Sequence, residues 1–219
     1  MPGLTAQAGS LLLFFPRMAL TPPAIQKAQL RKQLRQARAS LSQQYRRHAA
    51  DRLVRHALRS RLLKRGLRIA FYVPMPSEID LLPLINQALW MGCECYLPVV
   101  PKGQGRRMRF TRIHDSHSWT LNRYRIPEVA APTSLPAQRL DLVFVPLVGV
   151  DQHGYRLGMG GGYYDTTLAF LRQRKVWRQP RLIGAAYDCQ RVEQVPREPW
   201  DMPLDALLSE SGLLRFGHR

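Results

Sequence analysis

The chain has 219 residues, 45% of them hydrophobic, and its 33 lysines and arginines outweigh 15 aspartates and glutamates for a formal net charge of +18. That length suits one domain and lets a fold bury roughly 70% of its unfolded surface without staples. Three cysteines, Cys93, Cys95 and Cys189, are odd in number and lack metal-ligand or redox spacing, so they read as plain thiols of a reducing compartment.

Residues 1–20 hold "LLLFF" (Leu11–Phe15) after ten residues without a positive charge, too short and too neutral at its start for a secretory signal. A disordered leader, or an extension ahead of an internal start at Met18, is the expectation, with residues 21–219 forming a single α/β domain in the cytoplasm. No run approaches the ~18 apolar residues of a membrane span.

Thr21-Pro22-Pro23 predicts a helix entrance, and "AIQKAQLRKQLRQARASL" places Ile25, Ala28, Leu34, Ala37 and Leu41 near one face. Lys27, Arg31 and Arg35 recur every four residues as a separate basic stripe. Ser42 caps a second helix that turns Tyr45, Ala49, Leu53, Ala57 and Leu58 to the core and stops at Gly66. Much of the positive charge lies between Arg46 and Arg68, which fits a solvated face or attraction to a polyanion.

Beyond Gly66 the period changes. "LRIAFYV" (Leu67–Val73) and "CECYLPV" read as strands around a helix from Leu81 to Trp90, and "MRFTRI" as an edge strand. "SWTLNRYRIPEVAAPTSLPA" reads as a long ordered loop, and "DLVFVPLVGV" (Asp141–Val150) as one central strand buried on both faces. A helix from Tyr163 to Arg174 and a core strand "LIGAAYD" follow, and the tail is loop and then a short element. Strands alternating with helices predict an open, mostly parallel sheet with helices on both faces.

Between the central strand and its helix stands "RLGMGGGYYD", Arg156 to Asp165. Ligands of such sheets bind beyond the carboxyl ends of the strands, and bare glycine backbone lets N–H groups approach an anion. Alone, the run fits a phosphate cradle or a tight turn. It is neither a P-loop nor a dinucleotide fingerprint, because Tyr163 stands where a third glycine would be.

From about Ala24 to Glu210 the chain resembles the 5-formyltetrahydrofolate cyclo-ligase (5,10-methenyltetrahydrofolate synthetase) family. The resemblance rests on "PLVGVDQHGYRLGMGGGYYD", "KAQLR", "FYVPMPSEID", "RIPE" and "WDMPLDALLSE". It implies a Rossmann-like three-layer sandwich. It also implies an enzyme that uses ATP and Mg²⁺ to close 5-formyltetrahydrofolate, with or without a polyglutamate tail, into 5,10-methenyltetrahydrofolate, releasing ADP and phosphate. The resemblance implies that Lys27, Arg31, and Arg156 to Tyr164 (Arg156, Leu157, Gly158, Met159, Gly160, Gly161, Gly162, Tyr163 and Tyr164) meet ATP. Arg156 would brace the phosphoryl group. Val73, Glu78 and Met159 to Tyr163 would meet the folate, and Asp165 with Asp201 would hold the metal. Phe71, Tyr72, Met75 and Trp119 fit pocket walls or core equally.

Three departures from the family pattern stand out: Gly161 where some members carry lysine, Val129 after Glu128, and Trp200 before Asp201. Other readings of the sequence are a basic nucleic-acid-binding protein, motivated by the charge alone, and a different ATP- or phosphate-using enzyme on the same fold. A monomer with small-molecule substrates, no membrane and no obligate nucleic acid is the expectation.

Overall fold

The computed structural model describes residues 23–114, 118–173, 179–198 and 200–217; the leader expected over residues 1–20 and the Thr21 cap lie outside them. Helix α1 spans Pro23–Ala39 and α2 spans Gln43–Arg59, with Ser42 accepting from the Tyr45 amide as its N-cap. Strand β1 (Arg68–Ala70), α3 (Leu82–Trp90), β2 (Glu94–Val99) and β3 (Arg109–Arg112) follow. A hairpin of β4 (Ser118–Leu121) and β5 (Pro127–Ala130) precedes β6 (Leu142–Val145), β7 (Gly149–Asp151), β8 (Arg156–Leu157) and α4 (Tyr163–Leu168). The chain ends with β9 (Arg181–Ala185), β10 (Arg191–Val192), β11 (Ala206–Ser209) and β12 (Gly212–Arg215).

The main sheet has seven strands in the order β12-β11-β9-β6-β1-β2-β3. The five inner strands run parallel, and the antiparallel β3 and β12 close the two edges. Alternation decides which layer each side chain joins. Ile69, Phe71, Leu142, Phe144 and Ile183 point to the α2–α3 side with Leu53, Ala57 and Leu84. Their neighbours Ala70, Val143, Val145 and Leu182 point to the other side, with Leu168 and Leu171. Phe71 and Phe144 stack with ring centroids 4.9 Å apart. The mostly parallel α/β architecture is the one the sequence predicts.

Several local expectations are corrected. The apolar run 141–150 is not one strand: β6 ends at Val145, before Pro146, which cannot donate to a ladder. The chain then enters a separate sheet, β10-β7-β8, which packs Val148, Leu157, Val192 and Val195 against Leu34 of α1. The stretch read as a long loop contains the β4–β5 hairpin, stapled to β2 by buried Glu128, which accepts from the Val100 amide at 2.8 Å and from Asn122 Nδ2 at 2.9 Å. Val129 beside it is core, so that departure from the family pattern is filled by apolar packing.

Helix α2 ends at Arg59 rather than Gly66, with the Ser60 amide closing on His56 and Leu58 and Arg61 in the left-handed region. Tyr45, Leu58, Ile25 and Ala28, expected in the core, are exposed, because each helix buries a narrower stripe than its periodicity offers. Tyr45 still earns a role, donating to Glu210 at 2.6 Å. Helix α4 stops at Leu168 and tightens into a 3-10 turn from Ala169 to Gln173; the expected end at Arg174 lies outside the described residues. The tail forms the β11–β12 hairpin.

The turn between β7 and β8 aims the glycine run. Buried Asp151 accepts from the His153 and Tyr155 amides at 2.9 and 3.0 Å and from Val195 at 3.2 Å. Gly154 has φ +79, and a Cβ there would lie 2.9 Å from the Leu204 carbonyl. Gly154→Ala is therefore expected to destabilise the fold by about 2 kcal/mol, read from the urea midpoint; an unchanged midpoint would mean that the turn relaxes freely.

Candidate active site at the glycine loop

Helix α1 lays four cations along one face. Lys27, Arg31, Arg35 and Arg38 are spaced by four, four and three residues, so they rise one above another over roughly 16 Å. Lys27 Nζ lies 3.4 Å from Asp201 Oδ2 and 3.8 Å from Glu198 Oε1. Arg31 Nε donates to the Gly158 carbonyl at 2.8 Å, and Arg35 approaches Met159 Sδ at 3.5 Å. Arg38 meets Glu78 at 3.5 Å. Within the stripe, Arg31 and the exposed Arg35 touch the glycine run, while Lys27 meets the tail and Arg38 the Glu78 loop.

Arg38 is the residue the sequence reading missed. It is 3% exposed, and its Nε finds no hydrogen-bond partner among the described residues. The signal was present in the spacing, since Arg38 continues the stripe by one helical turn. Glu78 is buried as well and accepts from the Met75 amide at 3.0 Å, which fixes its loop. Burial raises the Glu78 carboxyl above its ordinary range, and the Met75 amide and Arg38 oppose that. Arg46 locks the same corner from α2, donating to the carbonyls of Arg38, Ala39 and Pro76 at 3.2, 2.9 and 3.2 Å.

At the other end, Arg156 is 8% exposed, donates to the Met202 carbonyl at 3.1 Å, and pairs closely with Asp165. The two carboxylates expected to hold metal thus each face a cation: Asp165 faces Arg156, and Asp201 faces Lys27 while accepting from the Glu198 amide at 2.8 Å. Among the described residues no three His, Cys, Asp or Glu side chains gather as a cage. Such a donor set fits Mg²⁺, which takes one or two protein carboxylates and completes its octahedron with phosphate oxygens and water. It does not fit an all-protein zinc or calcium site. Burial pushes the Cys95 thiol up to about 12 and the Cys189 thiol up to about 11, which keeps both protonated.

The glycines differ in what they do. Gly160 and Gly162 have φ of +96 and +71, the left-handed region, while a Cβ on Gly160 would sit 3.8 Å from Arg31 Nη2. Burial, and to a lesser degree the nearby Arg35, pulls the Arg31 guanidinium below its ordinary range. Tyr163 faces outward: Arg123 donates to its hydroxyl at 2.6 Å, and the Tyr124 hydroxyl lies 2.7 Å away. Tyr164 turns inward. Its hydroxyl is buried without a hydrogen-bond partner among the described residues, in reach of the fields of Glu78 and Arg156, and burial raises it far above its ordinary value. The two tyrosines therefore have opposite surroundings.

Val73 lies half-buried at the end of the strand that leads to Glu78, whereas Phe71 and Tyr72 are core and Met75 and Trp119 are exposed. The structure brings Lys27 to Asp201, Arg31 to Gly158 and Arg156 to Asp165, and α1 carries this group to Glu78.

Comparisons with known proteins place the chain in a family. The model of the 5-formyltetrahydrofolate cyclo-ligase family matches residues 24–210. The 5-formyltetrahydrofolate cyclo-ligase of Escherichia coli (strain K12) is 39% identical over 145 residues, covering 65% of this chain and 78% of that protein. The Haemophilus influenzae cyclo-ligase is 36% identical over 187 residues, covering 83% and 96%. The NMR structure of Aquifex aeolicus 5,10-methenyltetrahydrofolate synthetase superposes with a TM-score of 0.74 at 30% identity, over 88% of this chain and 94% of that one.

Proposed function

This chain belongs to the 5-formyltetrahydrofolate cyclo-ligase family, and we propose that it uses ATP and Mg²⁺ to close 5-formyltetrahydrofolate into 5,10-methenyltetrahydrofolate. The observation that carries the reading is the cationic face of α1, which lies along the glycine run at one end and reaches Glu78 at the other. One rigid helix thereby sets the separation between an anion-binding loop and a buried carboxylate suited to the donor-rich aminopyrimidine edge of a pterin.

The formyl oxygen is a poor leaving group. Transfer of the γ-phosphoryl to that oxygen breaks the bond to ADP and makes phosphate the leaving group. N10 then attacks the formyl carbon, the carbon–oxygen bond breaks, the N10 proton is lost, and phosphate departs. Such transfer depends on positioning and charge stabilisation. Lys27 and Arg31 would neutralise nucleotide phosphates, and Arg156 would brace the equatorial oxygens with its planar fork. Glu78 would orient the pterin, with Val73 as an apolar wall, and the main chain from Gly158 to Gly162 would leave room for both ligands. Asp165 and Asp201 would hold Mg²⁺, which when bound screens phosphate charge. Phosphate arriving at Arg156 and Lys27 would compete with these carboxylates and free them for the metal.

The test is the rise of the methenyl absorbance from purified chain with 5-formyltetrahydrofolate, ATP and Mg²⁺. Omitting ATP, or chelating the metal with EDTA, is expected to remove the rise; folded protein that gives none under full conditions would overturn the proposal.

A further inference from the structure

We propose that Arg106 is a phosphate-binding residue of this site, holding the phosphoryl chain of the nucleotide at the Gly162 end of the glycine run, while Arg31 lies beside Gly160. This inference rests on the function proposed above and names a cation that the glycine-run motif does not contain.

The guanidinium of Arg106 lies against Gly162: a Cβ on that glycine would be 3.3 Å from Arg106 Nη1 and 3.7 Å from Cδ. Arg31 occupies the corresponding place beside Gly160, where a Cβ would meet Nη2 at 3.8 Å. Two of the run's four glycines, Gly160 and Gly162, therefore each lie beside a guanidinium, one from α1 and one from the segment between β2 and β3. The absence of a side chain at residue 162 gives Arg106 its approach as well as allowing φ +71.

The main chain of this segment is tethered to the same loop. Thr167 Oγ1 donates to the Tyr163 carbonyl at 2.6 Å, and the Met108 amide donates to Thr167 Oγ1 at 2.9 Å. Thr167 Oγ1 also lies 3.5 Å from the Arg106 carbonyl. Thr167 is buried, so the backbone of Arg106 and the start of α4 are held as one piece, while the Arg106 side chain is exposed where a ligand enters.

Among the described residues no carboxylate pairs with Arg106, whereas Lys27 and Arg156 each face one. Its charge is thus available to an anion without displacing an internal partner. It also compensates for the glycine run itself, whose residues from Leu157 to Gly162 hold no cation, Gly161 included. A planar fork beside open main chain suits a phosphate better than a point charge would.

The experiment compares wild type, Arg106→Gln, Arg106→Lys and, as a surface control on α2, Arg52→Gln. ATP affinity is measured by calorimetry without folate, and KM for each substrate by the methenyl absorbance. Losing one charge-assisted hydrogen-bond donor is expected to weaken ATP binding and raise KM for ATP by about tenfold or more. KM for 5-formyltetrahydrofolate and the melting temperature should stay put, Arg106→Lys should recover part of the loss, and Arg52→Gln should match wild type. Arg106→Gln indistinguishable from an active wild type, or a shift confined to KM for the folate, would overturn this inference and leave the proposed function standing. A wild type that neither binds ATP nor forms product would overturn both.

Discussion

Replacing Arg156 by glutamine is expected to lower kcat about 10³-fold while KM for both substrates changes only a few-fold. The guanidinium is buried and is aimed by the Met202 carbonyl, and the arm that pairs with Asp165 would meet the phosphoryl group once that carboxylate turns to the metal. A donor held that way costs no reorganisation when charge spreads over the transferring phosphoryl group. Glutamine keeps a polar donor but is shorter and lacks the charge, so a loss in kcat rather than KM identifies stabilisation of the transition state. Arg156→Lys keeps the charge and loses the fork, so it should fall between the two. Asp165→Asn should differ in kind: it leaves Arg156 in place and raises the Mg²⁺ concentration needed for half-maximal rate. A kcat for Arg156→Gln within threefold of wild type would reduce Arg156 to a strut for the loop.

The second large effect is on stability. Arg38→Met leaves Glu78 buried and without its cation, and breaking a buried pair this way costs about 3 kcal/mol or more, which lowers the melting temperature by roughly 6–12 °C in a chain of this size. The sign of the pH dependence follows from burial. Because the folded chain holds the Glu78 proton more tightly than the unfolded chain, this group favours folding most at acid pH, and its contribution is lost as pH rises from the ordinary carboxylate range through the raised folded value. Removing Arg38 raises that folded value further. The deficit of Arg38→Met should therefore be largest near pH 8 and shrink near pH 5, as read from urea midpoints at the two values. Equal midpoints at pH 8 would show that the pair is worth nothing; a deficit that ignores pH would place its origin outside Glu78.

These two predictions meet on α1 and at the tail. Lys27 reaches Asp201, and the next residue, Met202, supplies the carbonyl that holds Arg156. The Leu204 amide donates to the Gly154 carbonyl at 2.9 Å, which ties that tail to the turn that aims β8. Trp200, the departure from the family pattern beside Asp201, is exposed. The change there therefore alters the surface next to the site and leaves the aspartate's contacts with Lys27 and the Glu198 amide in place.

Periodicity and turn chemistry were enough for the α/β alternation, the parallel core strands, the edge position of β3 and the start of α2. All of these depend on residues near in sequence: alternating apolar side chains, Ser42 ahead of a helix, a glycine where a turn needs positive φ. The glycine run also stood out locally, and its flanks made it specific. What periodicity misjudged were places where a distant partner decides. Pro146 looks harmless inside an apolar run until β6 must pair with β9 while the chain beyond it turns toward α1. Glu128 looks like a loop acid until Val100 offers its amide.

The site divides in the same way. The candidate residues, Arg156 with Asp165, Lys27 with Arg31, and Glu78, are legible because each stands in a short motif that carries the family resemblance. That Lys27 faces Asp201, that Arg31 is anchored to Gly158, and that Arg38 is buried against Glu78 depend on how α1 crosses the sheet. Arg106 is the extreme case: it lies 56 positions before Gly162 in the chain, and only the folded backbone brings its guanidinium against that glycine. Sequence sets what a residue can do within a few positions of itself; which residues share a charge or an anion is set by closure of the chain, because Coulombic and hydrogen-bond contacts act over ångströms in space and ignore distance along the backbone.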